Sequence, residues 1–235
     1  GGYYTNWDFD QLTVDSYIEA MNDLPVDYIE IGYRSNKLDG YLGEYFYLPI
    51  STIRKIRNKS SKKTVVILNE KDIRTEHLDS ILGQCVGLID LVRIAIDPQN
   101  IRRAIVLAQG LKKMGFEVGF NVMYMSTWFE QKDLFECLSE VNIVADYFYM
   151  VDSFGGVYPK DVIKTYDRIK QDLTIQIGFH GHNNLELALI NTITAIDCGV
   201  DIVDATITGM GRGAGNLKTE LLFTHLSSAE ELNIN

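Results

Sequence analysis

The sequence has no surplus of positive charge. Its 22 Lys and Arg stand against 32 Asp and Glu, a formal net charge of -10, and no basic patch or basic helix interrupts that balance, which argues against a nucleic-acid partner. No apolar run approaches the length of a bilayer span, and no cationic, apolar leader opens the chain, so a soluble cytoplasmic protein without a membrane partner is expected. Cysteine is scarce as well: Cys85, Cys137 and Cys198 are odd in number, widely spaced and set in apolar contexts. They read as reduced thiols, not as disulfide staples or a zinc cluster. There is also no initiator methionine, and the opening, Gly1 to Asp10, is aromatic and turn-like.

What is present is a repeating alternation. The 235 residues, 46% of them hydrophobic, suffice for one substantial core in the size range of a single α/β barrel. Leu12 to Leu24 has helical spacing with Thr13 placed to cap it, and Pro25 ends it. Strands are expected at Val26–Ile31, Thr64–Leu68, Leu88–Ile94, Phe116–Met123, Tyr147–Val151, Thr174–Phe179 and Ile202–Ala205, each followed by a helix. The intervening helices are expected near Ile50–Arg57, Arg74–Leu82, Ile101–Met114, Trp128–Val141, Lys160–Ile169, Leu185–Cys198 and Lys218–Ser227.

Short β-branched strands alternating with helices predict a parallel sheet covered by helices. Polar residues recur at strand ends (Glu30, Asn69, Asp97, Asn121, Asp152, His180, His182, Asp204), which favours an α/β TIM (β/α)8 barrel over a doubly wound sheet. Such a barrel has eight strands and opens on one, whereas the first element here is a helix. The expectation is therefore a single TIM-barrel catalytic domain over residues 1–235, N-terminally incomplete and lacking its first strand.

The chemistry is concentrated between Ile175 and Asn216. His180 and His182 lie at i and i+2 of a strand, so they project to the same side and can share one divalent ion; the alternative is one packed and one solvated imidazole. Two imidazoles need further oxygen ligands. Asn216 is the candidate, at the end of a loop whose Gly209, Gly211, Gly213 and Gly215 let the backbone approach a ligand closely, with a tight turn as the alternative. Glu30 is a candidate for orienting a water or ligand at the rim, or else a solvated carboxylate. Arg34 and Arg212 are candidate carboxylate clamps, since a guanidinium pairs bidentately, or else surface charges. Asp152 is expected to support its loop or a histidine's second nitrogen, and Arg93 to pair with a carboxylate. The polar, glycine-bearing stretch Tyr33–Gly43 and the aromatic Tyr41–Pro49 form a long loop that is a candidate lid, or else a patch packed on the outer helices or a neighbouring subunit. Tyr124, Trp128 and Phe129 are candidates for roofing a pocket, with core packing as the alternative for Trp128 and Phe129.

His180-Gly181-His182-Asn183, Asp152-Ser153-Phe154-Gly155 and Gly209-Met210-Gly211-Arg212-Gly213-Ala214-Gly215-Asn216 together resemble the motifs of the DRE-TIM metallolyases, the HMG-CoA lyase-like superfamily. The similarity runs from about Asp27 to Leu226 and is nearest to the 4-hydroxy-2-oxovalerate aldolase branch. The resemblance implies a divalent metal, Mn or Mg, held by His180, His182, Asn216 and the aspartate of an Arg-Asp-Gly motif. Gly1 matches the glycine of that motif, so the arginine and aspartate are absent from this sequence, and the chain as it stands is expected to bind metal weakly and to be nearly inactive. Tyr3 aligns with the aldolase branch's acid/base histidine; its ordinary pKa of about 10 makes it a poor base near neutral pH but allows hydrogen-bond or proton donation.

The function that the resemblance implies is a metal-dependent aldolase-type lyase acting on a small 2-oxo acid. A homodimer and an aldehyde-accepting dehydrogenase are its expected partners. Three alternatives stay open: a Claisen-type acyltransferase or synthase, an HMG-CoA lyase-like enzyme, and a non-catalytic barrel with a degenerate metal site. The loop Thr208–Asn216 has no cysteine, which weighs against thioester-cleaving lyase chemistry.

Overall fold

The computed structural model describes residues 2–228. Seven parallel strands are found where the alternation predicts them: β1 (Tyr28–Tyr33), β2 (Lys63–Asn69), β3 (Leu91–Ile96), β4 (Glu117–Val122), β5 (Tyr147–Asp152), β6 (Gln176–Gly181) and β7 (Ile202–Val203). Their order in the sheet is their order in the sequence. With helices between successive strands, this is the α/β topology of a TIM (β/α)8 barrel with one strand fewer among the described residues. Strand interiors such as Val65, Val66, Ile67 and Leu68 are buried, as expected of strands covered on both faces.

The chain packs as two compact units, Gly1–Ala95 with Val106–Gly119, and Ile96–Ile105 with Phe120–Asn235. In the first, β1 and β2 pair in parallel with Ile29 opposite Thr64 and Glu30 opposite Val65. Arg93, only 5% exposed, donates to Glu30 at 3.0 Å, the carboxylate pairing expected of an arginine inside a strand. The aromatic stretch after β1 folds into a short helix, Glu44–Tyr47. There Phe46 stacks on Tyr33 at 5.4 Å and meets Trp7 edge-on at 5.1 Å. Tyr45 and Phe46 are buried and Tyr41 is exposed, so most of these rings are packing residues.

In the second unit β5 and β6 pair in parallel over six residues, from Tyr147 opposite Gln176 to Asp152 opposite Gly181. β6 pairs with β7 through Gly178–Ile202 and Phe179–Val203. That register carries Asp152, His180 and Asp204 to neighbouring strand ends.

Two local expectations are corrected. The helix Gln11–Asp23 is capped by Asp10, whose carboxylate accepts from the Thr13 amide, and not by Thr13; a side chain ahead of the first turn reaches its free N–H groups. The expected helix Trp128–Val141 is three pieces: a 3-10 turn Met125–Glu130, then helices Lys132–Glu136 and Leu138–Val144. The chain leaves helical geometry at Gln131 (φ -105°, ψ 84°), a break that apolar periodicity does not register. Cys85 and Cys137 are buried free thiols and Cys198 is half-buried. Among the described residues no helix is long and apolar enough to cross a membrane.

Candidate metal centre

The two histidines end β6 with their rings 5.1 Å apart and 75° from coplanar. Each is held through Nδ1. His180 Nδ1 lies 2.9 Å from Asp204 Oδ2, and His182 Nδ1 lies 2.9 Å from the Asp152 carbonyl oxygen. A carbonyl only accepts, so His182 carries its proton on Nδ1 and presents a lone pair at Nε2. A carboxylate on His180 imposes the same tautomer when that ring is neutral. Burial, with the His180 charge second, pushes the His182 pKa down to about 4, so this ring stays neutral and able to ligate near pH 7.

Asn216 is brought to the histidines by backbone pairing. It forms an antiparallel bridge with His182, and its neighbours lock the same junction: Asn183 N–H donates to Gly215 O at 2.8 Å and Leu217 N–H to Gly181 O at 3.2 Å. Its side chain lies against Gly211, where a Cβ would stand 2.5 Å from the Asn216 Oδ1. That Oδ1 is buried and has no hydrogen-bond partner. A buried amide oxygen left unmatched is costly, and an amide oxygen together with imidazole nitrogens is a donor set that suits a divalent cation. Among the described residues no group of three or more His, Cys, Asp and Glu gathers as a metal cluster, so the donors here are two nitrogens and one amide oxygen.

The carboxylates beside this set serve other roles. Asp152 is 1% exposed and accepts from the Gly156 amide at 3.2 Å and the Val157 amide at 3.3 Å, supporting its own loop as expected. Burial raises its pKa against those hydrogen bonds. Arg212 is exposed on the glycine loop, and its charge contributes to holding the His182 pKa down.

The other expected site residues lie in the first unit. Tyr3 is 49% exposed in the short helix Gly2–Thr5, with its ring edge-on to Trp7 at 4.6 Å. Glu30 is held by Arg93. Arg34 donates through Nη1 to the carbonyls of Tyr47 at 3.0 Å and Leu48 at 2.7 Å, and through Nη2 to that of Ile81. Of the expected set, then, His180, His182, Asn216 and Arg212 lie together in the second unit, and Tyr3, Glu30 and Arg34 belong to the first.

Sequence reasoning missed two residues. Asp204 was visible as a strand-end carboxylate but not as the partner of His180. Asn184 donates to Phe154 O at 2.7 Å and accepts from the Ala214 amide at 3.1 Å, tying both loops to the end of β6. The only signal for it was a second amide side chain directly after His-x-His-Asn. Of the aromatic candidates, Trp128 is fully buried with Nε1 donating to Met123 O at 2.8 Å, so it is core. Phe129 is exposed, with Lys164 4.1 Å above its ring. Tyr124 stacks on Phe154.

Comparison with known proteins gives the family. The HMGL-like family matches residues 91–234. A 4-hydroxy-2-oxovalerate aldolase of Geobacillus thermodenitrificans (strain NG80-2) is 32% identical over 236 residues, covering 94% of this chain and 65% of that protein. The chain thus spans about two thirds of the length of the curated relatives it matches. The crystal structure of the N-terminal domain of a candidate aldolase from Bacteroides vulgatus superposes with a TM-score of 0.98 at 55% identity, covering 100% of this chain and 79% of that one. The carboxyl transferase domain of Rhizobium etli pyruvate carboxylase (TM-score 0.65, 16% identity, 78% of this chain and 34% of that one) shares the fold alone. The chain belongs to the HMGL-like family and is similar along nearly its whole length to its 4-hydroxy-2-oxovalerate aldolases.

Proposed function

We propose that the protein is a divalent-metal-dependent lyase of the aldolase type, making or breaking a carbon–carbon bond in a 4-hydroxy-2-oxo acid. The observation that carries this is the unmatched Asn216 Oδ1 on the segment bridged to His182, with the Nδ1 atoms of both imidazoles already engaged. His180, His182 and Asn216 would hold the ion, Mn or Mg. When bound, such an ion supplies electrophilic pull on the oxo and carboxylate oxygens of the substrate.

Cleavage removes the proton of the C4 hydroxyl, forms the aldehyde carbonyl and breaks the C3–C4 bond. Its electron pair stays on C3, which takes up a proton to give pyruvate. Asp204 and the Asp152 carbonyl keep both rings in the ligating tautomer through this change. Arg212 and Arg34 are the cations offered to the substrate carboxylate. The terminal nitrogens of Arg34 donate to three carbonyls, and the charge of Arg212 is felt at His182. Tyr3 for the hydroxyl proton and Glu30 for an ordered water rest on the sequence alone. A homodimer and a dehydrogenase that accepts the aldehyde are further parts of the proposal.

The test is pyruvate release from 4-hydroxy-2-oxo acids by the full-length protein with Mn, with Mg and with chelator. Release that depends on the ion and is lost in His182→Ala supports the proposal. No release from any such acid with either ion sinks it.

A further inference from the structure

We propose that Tyr124 and Phe154 form the specificity-determining platform for the group carried on the hydroxyl-bearing carbon, and that this group is apolar, planar and larger than methyl. This rests on the aldolase function proposed above. The two rings stack at 5.2 Å with 29° between their planes. Tyr124 lies two residues beyond the end of β4, and Phe154 two residues beyond Asp152 at the end of β5. Phe154 is 54% exposed, so the stack is not core packing. An aromatic stack with one ring this exposed offers apolar surface to a ligand.

Both residues are fixed at considerable local constraint. Tyr124 has φ +58°, a left-handed conformation uncommon for a bulky side chain and concentrated at functional positions. Its amide donates to Ser153 Oγ at 2.9 Å, which ties it to the same loop that carries Phe154. The Phe154 carbonyl accepts from Asn184. Gly155, at φ +57°, lies so close beneath that a Cβ would stand 2.6 Å from the Asn184 nitrogen and 2.9 Å from the His182 carbonyl; only glycine satisfies that contact. The loop that carries Phe154 is therefore packed against the backbone of His182 and held by the Asn184 side chain. A substrate whose oxo acid end lies at the histidines has this surface within the same loop system for its other end. Flat aromatic faces favour planar apolar groups over methyl through stacking.

The experiment compares kcat/KM, read as pyruvate release, for 4-hydroxy-2-oxo acids bearing methyl or phenyl on C4. The phenyl acid is expected to be favoured about tenfold, and the ratio to fall about tenfold in Phe154→Ala and in Tyr124→Ala. Phe154→Leu keeps apolar bulk without a flat face, should lower the ratio part way, and carries the test if the alanine variant does not fold. A ratio near one in the unmodified protein, or one that survives these substitutions, overturns the inference while pyruvate release keeps the aldolase function standing. Absence of pyruvate from both acids removes that function and this inference with it.

Discussion

Asp204 Oδ2 lies 2.9 Å from His180 Nδ1, with 17% and 20% of the two side chains exposed. His182, two residues on, has a neutral carbonyl in the equivalent place. One ring is thus oriented by a charge and the other by a dipole, and the charged partner makes its ring the stronger donor to a cation. Asp204→Ala should weaken Mn binding about 10–100-fold, and Asp204→Asn, which keeps an accepting oxygen, by less. Titration of the full-length protein with Mn, followed by the spectrum of the free ion, reads this directly. Equal affinity in all three proteins would show that His180 does not ligate through Nε2.

His182 gives a pH dependence in protein stripped of metal by chelator. Its pKa is about 4 in the fold against an ordinary 6.5, so between those values the unfolded chain binds a proton that the native ring refuses. The neutral ring's contribution is complete above pH 6.5 and is lost as pH falls towards 4, at most about 3 kcal/mol. Denaturant midpoints from pH 4 to 7.5 should show this loss, and His182→Gln should flatten the slope by up to one proton. An unchanged slope would mean the ring protonates freely.

The strands and the His-x-His pair were legible because their signals are local. Val65 to Leu68 is a continuous apolar run, and i, i+2 spacing fixes the side of the sheet without knowledge of the rest. Asn184 was not legible, because its partners Phe154 and Ala214 each lie 30 residues away and nothing in its own neighbourhood names them. Asp204 lies 24 residues from His180, and only the β6–β7 register brings the two together. The break at Gln131 was hidden for the opposite reason: apolar spacing continues through it while the backbone does not.

Gly211 separates metal affinity from fold stability. A methyl group there would occupy the space of the Asn216 amide, 2.5 Å from its Oδ1, and the side chain must swing away to admit it. Gly211→Ala should therefore weaken Mn binding about tenfold, a loss comparable to that of an outer-shell support. Because Asn216 keeps its backbone bond to Gly209, the thermal midpoint of the metal-free protein should shift by only a few degrees. Unchanged Mn affinity would show that the Asn216 oxygen is not a ligand.

Asn184 couples the two loops through two different groups, and substitution can remove them one at a time. Asn184→Asp keeps an oxygen for the Ala214 amide but replaces the donor to Phe154 O with a charge that repels it. Asn184→Ala removes both bonds. If the bonds act separately, alanine should cost about 1–3 kcal/mol and aspartate a similar amount, because the repelled carbonyl offsets the bond that is kept. The two variants should then differ in where the damage falls. Hydrogen exchange at the Ala214 amide should quicken in alanine and stay slow in aspartate, whereas exchange at Gly155 and Gly156 should quicken in both. Exchange quickening equally at Ala214 in the two variants would mean the loops open together, and that Asn184 works as a single clasp holding both loops closed over the end of β6.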